Sequence, residues 1–335
     1  MSTINNAPIV LTGDRPTGPL HLGHYAGSLQ QRLRLQDEGY RCFVMIADMQ
    51  AYTDNADNTA KIRNAIPQVV SDYLAIGLDP SRTTIFLQSA VPELAELTML
   101  YMNFITVSRL ERNPTIRDEL KMREFERDIP SGFLCYPVSQ AADITAFKAT
   151  CVPVGDDQLP MIELAQEVAR KINRAGGREI LPTPKSLLSK VTRLPGIDGK
   201  AKASKSLGNA IFLSDSQKEV KDKVMAMYTD PNHIRVSDPG QVEGNVVFSY
   251  LDAFENDQEK VEDLKRRYRG GGLGDVTIKK ELISSLERVM MPIRDQRAAN
   301  DVDYKDIIRQ GSKVAREAAV QTLAEVKDAL GVFSI

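Results

Sequence analysis

The chain has 335 residues, more than one ordinary domain needs, and its 42% hydrophobic and 26% charged residues are typical of a soluble globular protein. A net charge of -2 excludes a generally basic protein that wraps DNA, but it leaves room for a local basic patch. The three cysteines show no CxxC spacing, and neither a signal peptide nor a long apolar run is evident, so we expect no metal site, no membrane segment and a cytoplasmic location.

Short apolar runs alternate with amphipathic stretches in the first half of the chain. Strands are predicted at residues 9–11, 42–46, 84–87 and 151–154, and helices at residues 22–36, 59–76, 94–107 and 159–172. This alternation predicts a parallel sheet with helices on both faces. In such sheets the ligand lies beyond the carboxyl ends of the strands.

The rest of the chain has a different character. Residues 109–128 interleave basic and acidic side chains, which predicts a solvated, salt-bridged helix face, with a nucleic-acid contact as the alternative. Residues 183–213 are rich in Lys, Gly, Ser and Pro. After residue 215 the strand signals vanish, and helices are predicted at residues 217–227, 246–254, 258–267, 278–294 and 301–330. We therefore expect a domain boundary near residue 213.

Residues 18–28, GPLHLGHYAGS, contain two of the three histidines of the chain, His21 and His24. Four interpretations compete: a metal pair, a catalytic base with a helper, a pair of donors for an anion, and two surface histidines. A metal needs further ligands, and no GxSxG turn supports a nucleophile. The predicted strand–turn–helix opening, with Gly23 in the first helical turn, favours a phosphate at the helix N-terminus.

Two further stretches carry charged residues in a suggestive pattern. Residues 199–209, GKAKASKSLGN, hold Lys200, Lys202 and Lys205 without an acid, as in a flexible exposed loop or a mobile clamp for phosphates. Residues 152–158, VPVGDDQ, place carboxylates after a predicted strand, where nucleotide folds bind ribose hydroxyls. Asp143 lies in an apolar helix-like stretch, so its carboxylate needs a partner, either a structural one or an N–H group of a ligand.

Two of these motifs together resemble a known family. HLGH, after TGDRPTGP, is similar to the HIGH signature of class I aminoacyl-tRNA synthetases, and KASKS at residues 202–206 is similar to their KMSKS loop, with Ala203 in place of methionine. Along almost its whole length the chain resembles the bacterial tryptophanyl-tRNA synthetases, in the stretches TGDRPTGPLHLGHYAGSL, YPVSQAADI, VPVGDDQLPMIELAQEVARKIN and AKASKSLGNAI. Tyrosyl-tRNA synthetases usually show GG-x-DQ where this chain has VPVGDDQ, which favours tryptophan.

The resemblance implies a fold and a reaction. The fold would be α/β, with a Rossmann-like, doubly wound parallel-sheet catalytic domain over residues 1–213 and an all-α anticodon-binding domain over residues 214–335, whose last helix packs back on the catalytic domain. The family is homodimeric, and we expect residues 94–128 at the interface and near the acceptor stem. The reaction joins L-tryptophan to ATP as an adenylate, releases pyrophosphate with the aid of Mg²⁺, and transfers tryptophan to the terminal ribose of tRNA(Trp).

The resemblance also assigns roles to individual residues. The catalytic residues would be His21, His24, Lys202 and Lys205, without a metal site on the protein. The residues that would bind ATP are Gly13, Asp14, Arg15, Gly23, His24, Gly155, Asp156, Asp157, Gln158, Leu194, Lys202, Ala203, Ser204, Lys205 and Ser206. The residues that would bind tryptophan are Asp143, as acceptor of the indole N–H, and Leu11, Gln140, Val152 and Val154.

Some interpretations stay open. The basic residues Lys265, Arg266, Arg267 and Arg269 predict either a tRNA contact or a solvated helix end. The rival functions are a ligase for tyrosine, a regulator that has lost aminoacylation, and a smaller nucleotidyltransferase with an HxGH motif. The intact HLGH and KASKS motifs and the long helical part favour a synthetase over the last two.

Overall fold

The computed structural model describes residues 7–123, 128–188, 194–205 and 207–333. Five strands among them form one parallel sheet in the order β3-β2-β1-β4-β5. The strands are β1 Ile9–Asp14, β2 Arg41–Ile46, β3 Thr83–Leu87, β4 Cys151–Val154 and β5 Lys185–Leu188. The predicted parallel sheet is confirmed. Because β1 lies between β2 and β4 and the strands are parallel, the carboxyl ends of β1 and β4 lie next to each other.

Helices connect these strands and cover the sheet. In this part of the chain they are α1 Leu22–His24, α2 Gln30–Asp37, α3 Asp48–Asn55, α4 Thr59–Ala75, α5 Glu93–Met102, α6 Val107–Glu111, α7 Pro114–Arg123, α8 Ser131–Ala146 and α9 Leu159–Gly176. The helix expected at residues 94–107 is wrong in its extent: α5 ends at Met102, and Thr106 caps α6 by accepting a hydrogen bond from the N–H of Arg109. The helix expected at residues 22–36 is interrupted by a π-helical turn at Tyr25–Leu29.

The sheet separates two hydrophobic clusters. Along β2, Phe43 and Met45 belong to one cluster, while Val44 and Ile46 belong to the other, and all four are buried. Helices α5, α8 and α9 pack in the cluster of Phe43, and α4 packs in the cluster of Val44. Each fully buried side chain of this size contributes about 1.5–3 kcal/mol to the hydrophobic driving force. The sheet is therefore a rigid base for residues at its carboxyl edge.

The last third of the described chain is helical. Its helices are α10 Gln217–Met225, α11 Val246–Phe254, α12 Gln258–Gly270, α13 Asp275–Ala299 and α14 Tyr304–Ala329. Helix α13 packs against both α11 and α4, so one hydrophobic cluster continues from the sheet into the helical part. Helix α14 packs on β3, where Gly311 lies against the backbone of Ile85, and the N–H of Leu87 donates to Ser312 Oγ at 3.2 Å. Among the residues that the structure describes, no helix combines the length and apolarity needed to cross a membrane.

Candidate active site

A cavity of about 780 Å³ opens at the carboxyl ends of β1 and β4 and gathers most of the predicted site residues. The predicted residues that line it are Leu11, Gly13, Asp14, Arg15, His21, His24, Gln140, Asp143, Val152, Val154, Gly155, Gln158, Lys202, Ala203, Ser204 and Lys205. The predicted residues outside this lining are Gly23, Asp156, Asp157 and Leu194. Ser206 lies outside the described residues.

His21 and His24 form the N-terminal cap of α1. The Nδ1 atom of His21 accepts a hydrogen bond from the N–H of Gly23 at 3.1 Å, and the Nδ1 atom of His24 accepts one from the N–H of His21 at 3.2 Å. The two imidazole rings lie 3.8 Å apart. An imidazole nitrogen that accepts a hydrogen bond carries no proton, so each neutral ring has its proton on Nε2. Both histidines can therefore donate from Nε2.

The histidines stay neutral over the physiological pH range. Burial, followed by the neighbouring charge of His24, lowers the pKa of His21 to about 3. Burial also lowers the pKa of His24 to about 4, although the carboxylate of Asp14 opposes the shift. His21 is only 7% exposed, which excludes the interpretation of two surface histidines. No group of three potential metal ligands occurs within the described ranges, which leaves the metal pair without support.

Residues 202–205, here called the lysine loop, line the cavity together with the histidines. The Nζ atom of Lys205 donates to the carbonyl oxygen of Gly18 at 2.8 Å, and burial lowers the pKa of this lysine. Asn209 braces the loop, because its Oδ1 accepts from the N–H of Ser204 at 2.9 Å and its Nδ2 donates to the carbonyl oxygen of Lys202 at 3.4 Å. The loop thus holds Lys205 inward, while Lys202 lies exposed at the cavity wall.

Gly23 and Leu194 shape the site from behind the cavity wall. A Cβ atom at Gly23 would lie 2.9 Å from the ring of His21 and 3.8 Å from the Cβ of Ala203, so a side chain there would displace the imidazole. Leu194 is buried, and its carbonyl oxygen accepts a hydrogen bond from the N–H of Ala203 at 3.0 Å. The glycine therefore leaves room for the His21 ring, and Leu194 anchors the lysine loop at Ala203.

Asp14 is part of a buried charge cluster. Its Oδ2 accepts from Arg32 Nη1 at 2.6 Å and from the hydroxyl of Tyr73 at 2.7 Å. Burial alone would raise the pKa of Asp14, but the guanidinium of Arg32 holds it well below its ordinary value. Arg32 Nη2 also donates to the carbonyl oxygen of Gly13 at 3.3 Å. The carboxylate is therefore ionised and paired, and it holds the end of β1 in place.

Asp143 also lines the cavity, from helix α8. It is 1% exposed and accepts hydrogen bonds from Gln88 Nε2, at 3.0 Å to each carboxylate oxygen, and from Gln50 Nε2 at 2.6 Å. Burial raises the pKa of Asp143 to about 7, although the hydrogen bond from Gln88 opposes this shift. Leu11 and Val152 line the same cavity. The structure thus places a buried hydrogen-bond acceptor in a cavity that apolar side chains also line.

A family model described as tRNA synthetases class I (W and Y) matches residues 3–290, most of the chain. The chain belongs to this family. Similar curated proteins are the tryptophan–tRNA ligases of Clostridium longisporum, 58% identical over 330 residues with 97% of each chain covered, and of Streptococcus pyogenes, 54% identical with 97% and 98% covered. The predicted membership of the bacterial tryptophanyl-tRNA synthetases is confirmed by these relatives.

Solved structures of the same family agree with the fold. Tryptophanyl-tRNA synthetase from Campylobacter jejuni, complexed with ADP and tryptophan, has a TM-score of 0.80 and 30% identity, covering 97% of this chain and 100% of that one. The enzyme from Mycoplasma pneumoniae has a TM-score of 0.80 and 26% identity, with 98% and 99% covered. The predicted fold class, a Rossmann-like parallel sheet with a helical C-terminal region, is confirmed.

In this synthetase the GDDQ turn meets the cavity only in part. Gly155 and Gln158 line the cavity, whereas Asp156 and Asp157 are exposed in a short 3₁₀ turn beyond β4. The main-chain oxygen of Asp157 accepts from Thr115 Oγ1 at 2.9 Å, and its Oδ2 accepts from Gln158 Nε2 at 3.3 Å. The turn therefore presents backbone and amide groups to the cavity more directly than carboxylates.

Sequence reasoning missed several residues of the synthetase site. Arg32 and Tyr73 come from α2 and α4, and the signal that could have found Arg32 is a charged residue within the buried face of an amphipathic helix. Gln88 directly follows the predicted strand at residues 84–87, at the carboxyl edge where site residues gather. Gln50 follows the neighbouring strand by a few residues and had no comparable signal.

Proposed function

We propose that the cavity is where this chain, a tryptophan–tRNA ligase, joins L-tryptophan to ATP and forms tryptophanyl-adenylate. One observation carries the proposal: the same cavity is lined by the neutral histidines and Lys205, and by a buried carboxylate acceptor together with apolar side chains. The first group suits the phosphates of ATP, and the second suits an indole ring with its N–H. One cavity could therefore hold both reactants of adenylation.

The residues at the phosphate end would act by positioning and charge stabilisation. A tryptophan carboxylate oxygen attacks the α-phosphorus of ATP, the bond to the α-phosphorus forms, and the bond from that phosphorus to pyrophosphate breaks in line. His21 and His24 donate from Nε2 to the phosphate oxygens as charge develops, and Lys202 and Lys205 hold the leaving pyrophosphate. In the second step, a terminal ribose hydroxyl of tRNA(Trp) attacks the acyl carbon, and AMP leaves.

The remaining ATP contacts follow from the cavity walls. The ends of β1 and β4, with Gly13 and Gly155, would approach the nucleotide by their backbones, and Leu194 would support the adenine side. Two carboxylates at the cavity are already paired, Asp14 with Arg32 and Asp54 with Arg15. Mg²⁺ would therefore arrive on the ATP phosphates, whose charge it offsets, rather than in a site formed by the protein.

The group of Asp143 and the apolar side chains would select tryptophan. Asp143 would accept the indole N–H, with Leu11, Gln140, Val152 and Val154 around the ring. A site built to bond an N–H rejects analogues without it by about 10⁴–10⁵, because its buried polar group is then left unpaired. Tyrosine also carries a donor, but at a different position on a smaller ring, so it would meet Asp143 with a different geometry.

We also propose a division of the chain at residue 213, with residues 214–335 contacting tRNA(Trp), in a cytoplasmic homodimer. Exposed apolar side chains at Met99, Met102 and Val107 support an interface within residues 94–128. The basic group at residues 265–269 forms ion pairs with carboxylates of the same region, and Arg266, Arg267 and Arg269 are exposed. Because exposed ion pairs are weak, both interpretations of this group, a tRNA contact and a solvated helix end, stay predictions.

The test is amino-acid-dependent ATP–pyrophosphate exchange with all twenty amino acids, followed by charging of tRNA(Trp). We expect exchange with tryptophan alone, and exchange about 100-fold slower in a His24→Ala variant that still binds tryptophan. Exchange with tyrosine would contradict the role of Asp143 while leaving the chemistry intact. No exchange with any amino acid would favour the regulator.

A further inference from the structure

The backbone around the first histidine is fixed by contacts from outside the cavity. The N–H of Leu20, the residue before His21, donates to Asp72 Oδ2 at 2.7 Å, within the buried interior. The carbonyl oxygen of Leu20 accepts from the N–H of Leu213 at 2.9 Å, and the N–H of Leu22 donates to the carbonyl oxygen of residue 211, also at 2.9 Å. Asp72 supplies the one side-chain bond in this set of three.

The other oxygen of Asp72 is held by a distant helix. Asp72 Oδ1 accepts from Arg297 Nη2, and Arg297 Nη1 donates to Ser71 Oγ at 2.9 Å. Asp72 lies on α4 and is fully buried, whereas Arg297 lies in the last turn of α13, in the C-terminal helical part. A continuous path of hydrogen bonds therefore runs from α13 through Asp72 to Leu20, next to His21.

The two charged side chains of this path lie outside the cavity. Asp72 and Arg297 are both absent from the residues that line it. Burial raises the pKa of Asp72, and the charge of Arg297 is the largest influence against that shift. Without Arg297 the buried carboxylate would lose its main counter-charge and keep the weaker attraction of Lys205, so it would take up a proton or move. Either change weakens the bond to Leu20 that holds the HLGH turn.

We propose that Asp72 and Arg297 are positioning residues for adenylation, through which helix α13 sets the place of His21. The inference rests on the proposed role of His21 as a donor to the phosphates. It assigns to the helical part a contribution to the first chemical step, in addition to any contact with tRNA. A displacement of about 1 Å in a catalytic group can cost about 100-fold in rate, so a small shift of this turn is enough.

The test compares Arg297→Gln, Arg297→Lys and Asp72→Asn with a matched control on the same helix. The control is Arg288→Gln, which breaks the ion pair of α13 with the buried Glu255, whose further partners in the described chain include Ser285 and Lys260 of the helical part. The measurements are the single-turnover rate of adenylate formation, the Kd for tryptophan, and thermal unfolding. We expect Arg297→Gln to lower the adenylation rate by about tenfold or more with the Kd for tryptophan within about twofold.

The conservative variants sharpen this expectation. Arg297→Lys keeps the charge and should recover part of the rate, whereas Asp72→Asn keeps an acceptor for Leu20 but loses the ion pair. Arg288→Gln should be destabilised like Arg297→Gln, yet its adenylation rate should stay within about twofold of the wild type. Equal adenylation rates in Arg297→Gln and Arg288→Gln would show that the ion pair of Asp72 with Arg297 only stabilises the fold. If Arg297→Gln does not fold, the adenylation rates of Asp72→Asn and Arg297→Lys are compared with that of Arg288→Gln instead.

A second readout does not depend on activity. The chain has three histidines, so NMR of protein labelled with ¹⁵N in the imidazole rings should give three sets of ring signals. The third histidine, His233, pairs with Asp275 at the start of α13, so its signal reports whether the helix itself is disturbed. We expect the Nδ1 signal of His21 to move in Arg297→Gln and to stay unchanged in Arg288→Gln. An unchanged His21 signal in Arg297→Gln would overturn the inference. If the His21 signal moves in Arg297→Gln but the wild type shows no exchange with tryptophan, the positioning of His21 by Arg297 is supported and the proposed function is contradicted.

Discussion

The affinity for tryptophan should depend on pH through Asp143. The pKa of this carboxyl is raised to about 7 by burial, so it is half protonated near neutral pH in the free protein. If the ionised form is the one that accepts the indole N–H, the apparent Kd follows the factor 1 + 10^(7−pH). This factor is about 11 at pH 6 and about 1.1 at pH 8, so binding should weaken about tenfold, or about 1.4 kcal/mol, between pH 8 and pH 6.

The assay is calorimetric titration with tryptophan at pH 6, 7 and 8, on the wild type and on Asp143→Asn. The variant should bind more weakly at pH 8 and show a flat profile. The pKa values of His21 and His24, about 3 and about 4, lie below this window, so neither histidine contributes to the slope. A wild-type Kd constant within twofold, or a slope that survives in the variant, would refute the assignment.

The Asp143 carboxyl should also make the free energy of unfolding fall as the pH rises, whereas a salt-bridged acid makes it rise. Its folded-state pKa of about 7 lies above its ordinary value of 3.8, so the unfolded chain releases the proton first as the pH rises. Stability is therefore lost between these two values and stays low above the higher one. From pH 5 to pH 8 the free energy of unfolding of the wild type should fall by about 3 kcal/mol relative to Asp143→Asn, at 1.36 kcal/mol per pKa unit. Urea unfolding at both pH values measures this difference, and parallel profiles would contradict it.

Three further predictions concern the phosphate end and the packing of α14. His24→Ala should slow adenylate formation about 100-fold with little change in tryptophan binding, measured in single turnovers; equal losses in both would place His24 in ground-state binding. Lys205→Ala should raise the KM for ATP and slow pyrophosphate exchange by about 100-fold, whereas unchanged exchange would remove the lysine from the mechanism. Gly311→Ala should destabilise the fold by about 2 kcal/mol or more, because its Cβ would lie 1.9 Å from the carbonyl oxygen of Ile85. Gly132→Ala, where a Cβ meets nothing within 4 Å, is the control, and equal thermal stability of the two variants would contradict the reasoning.

The sequence predicts most of the sheet because its central strands are buried on both faces and read as continuous apolar runs. The strand at Lys185–Leu188 escaped prediction because it lies at the edge of the sheet, with half-exposed side chains and lysine and proline around it. The helix at Asp48–Asn55 escaped because it has few apolar residues, and only Asp48 and Ala51 are buried. Local periodicity carries no signal for elements that tertiary contacts hold in place.

The motifs located the site, but the residues that support it come from distant parts of the chain. HLGH and KASKS can be recognised from composition alone, because histidines and lysine-rich stretches without acids are rare in this sequence. The partners of Asp14 and Asp143 are ordinary residues in ordinary helices and turns: Arg32, Gln50 and Gln88. The neighbouring sequence does not identify these three residues, because their role depends on the carboxylate that the fold places beside each of them. A buried carboxylate in a sequence predicts that a partner exists, but it does not say where.

The histidines and Lys205 have different roles at the phosphate end of the site. His21 and His24 stay neutral because burial lowers their pKa values far below 7, so they offer directed hydrogen bonds without adding charge to the crowded phosphate end. Lys205 supplies the charge instead, at a position fixed by the carbonyl of Gly18. Fixed neutral donors favour the geometry of the transition state, whereas a charge on a loop can move away with the product. The imidazoles therefore belong on the rigid helix cap and the lysine on the loop, which is where the fold places them.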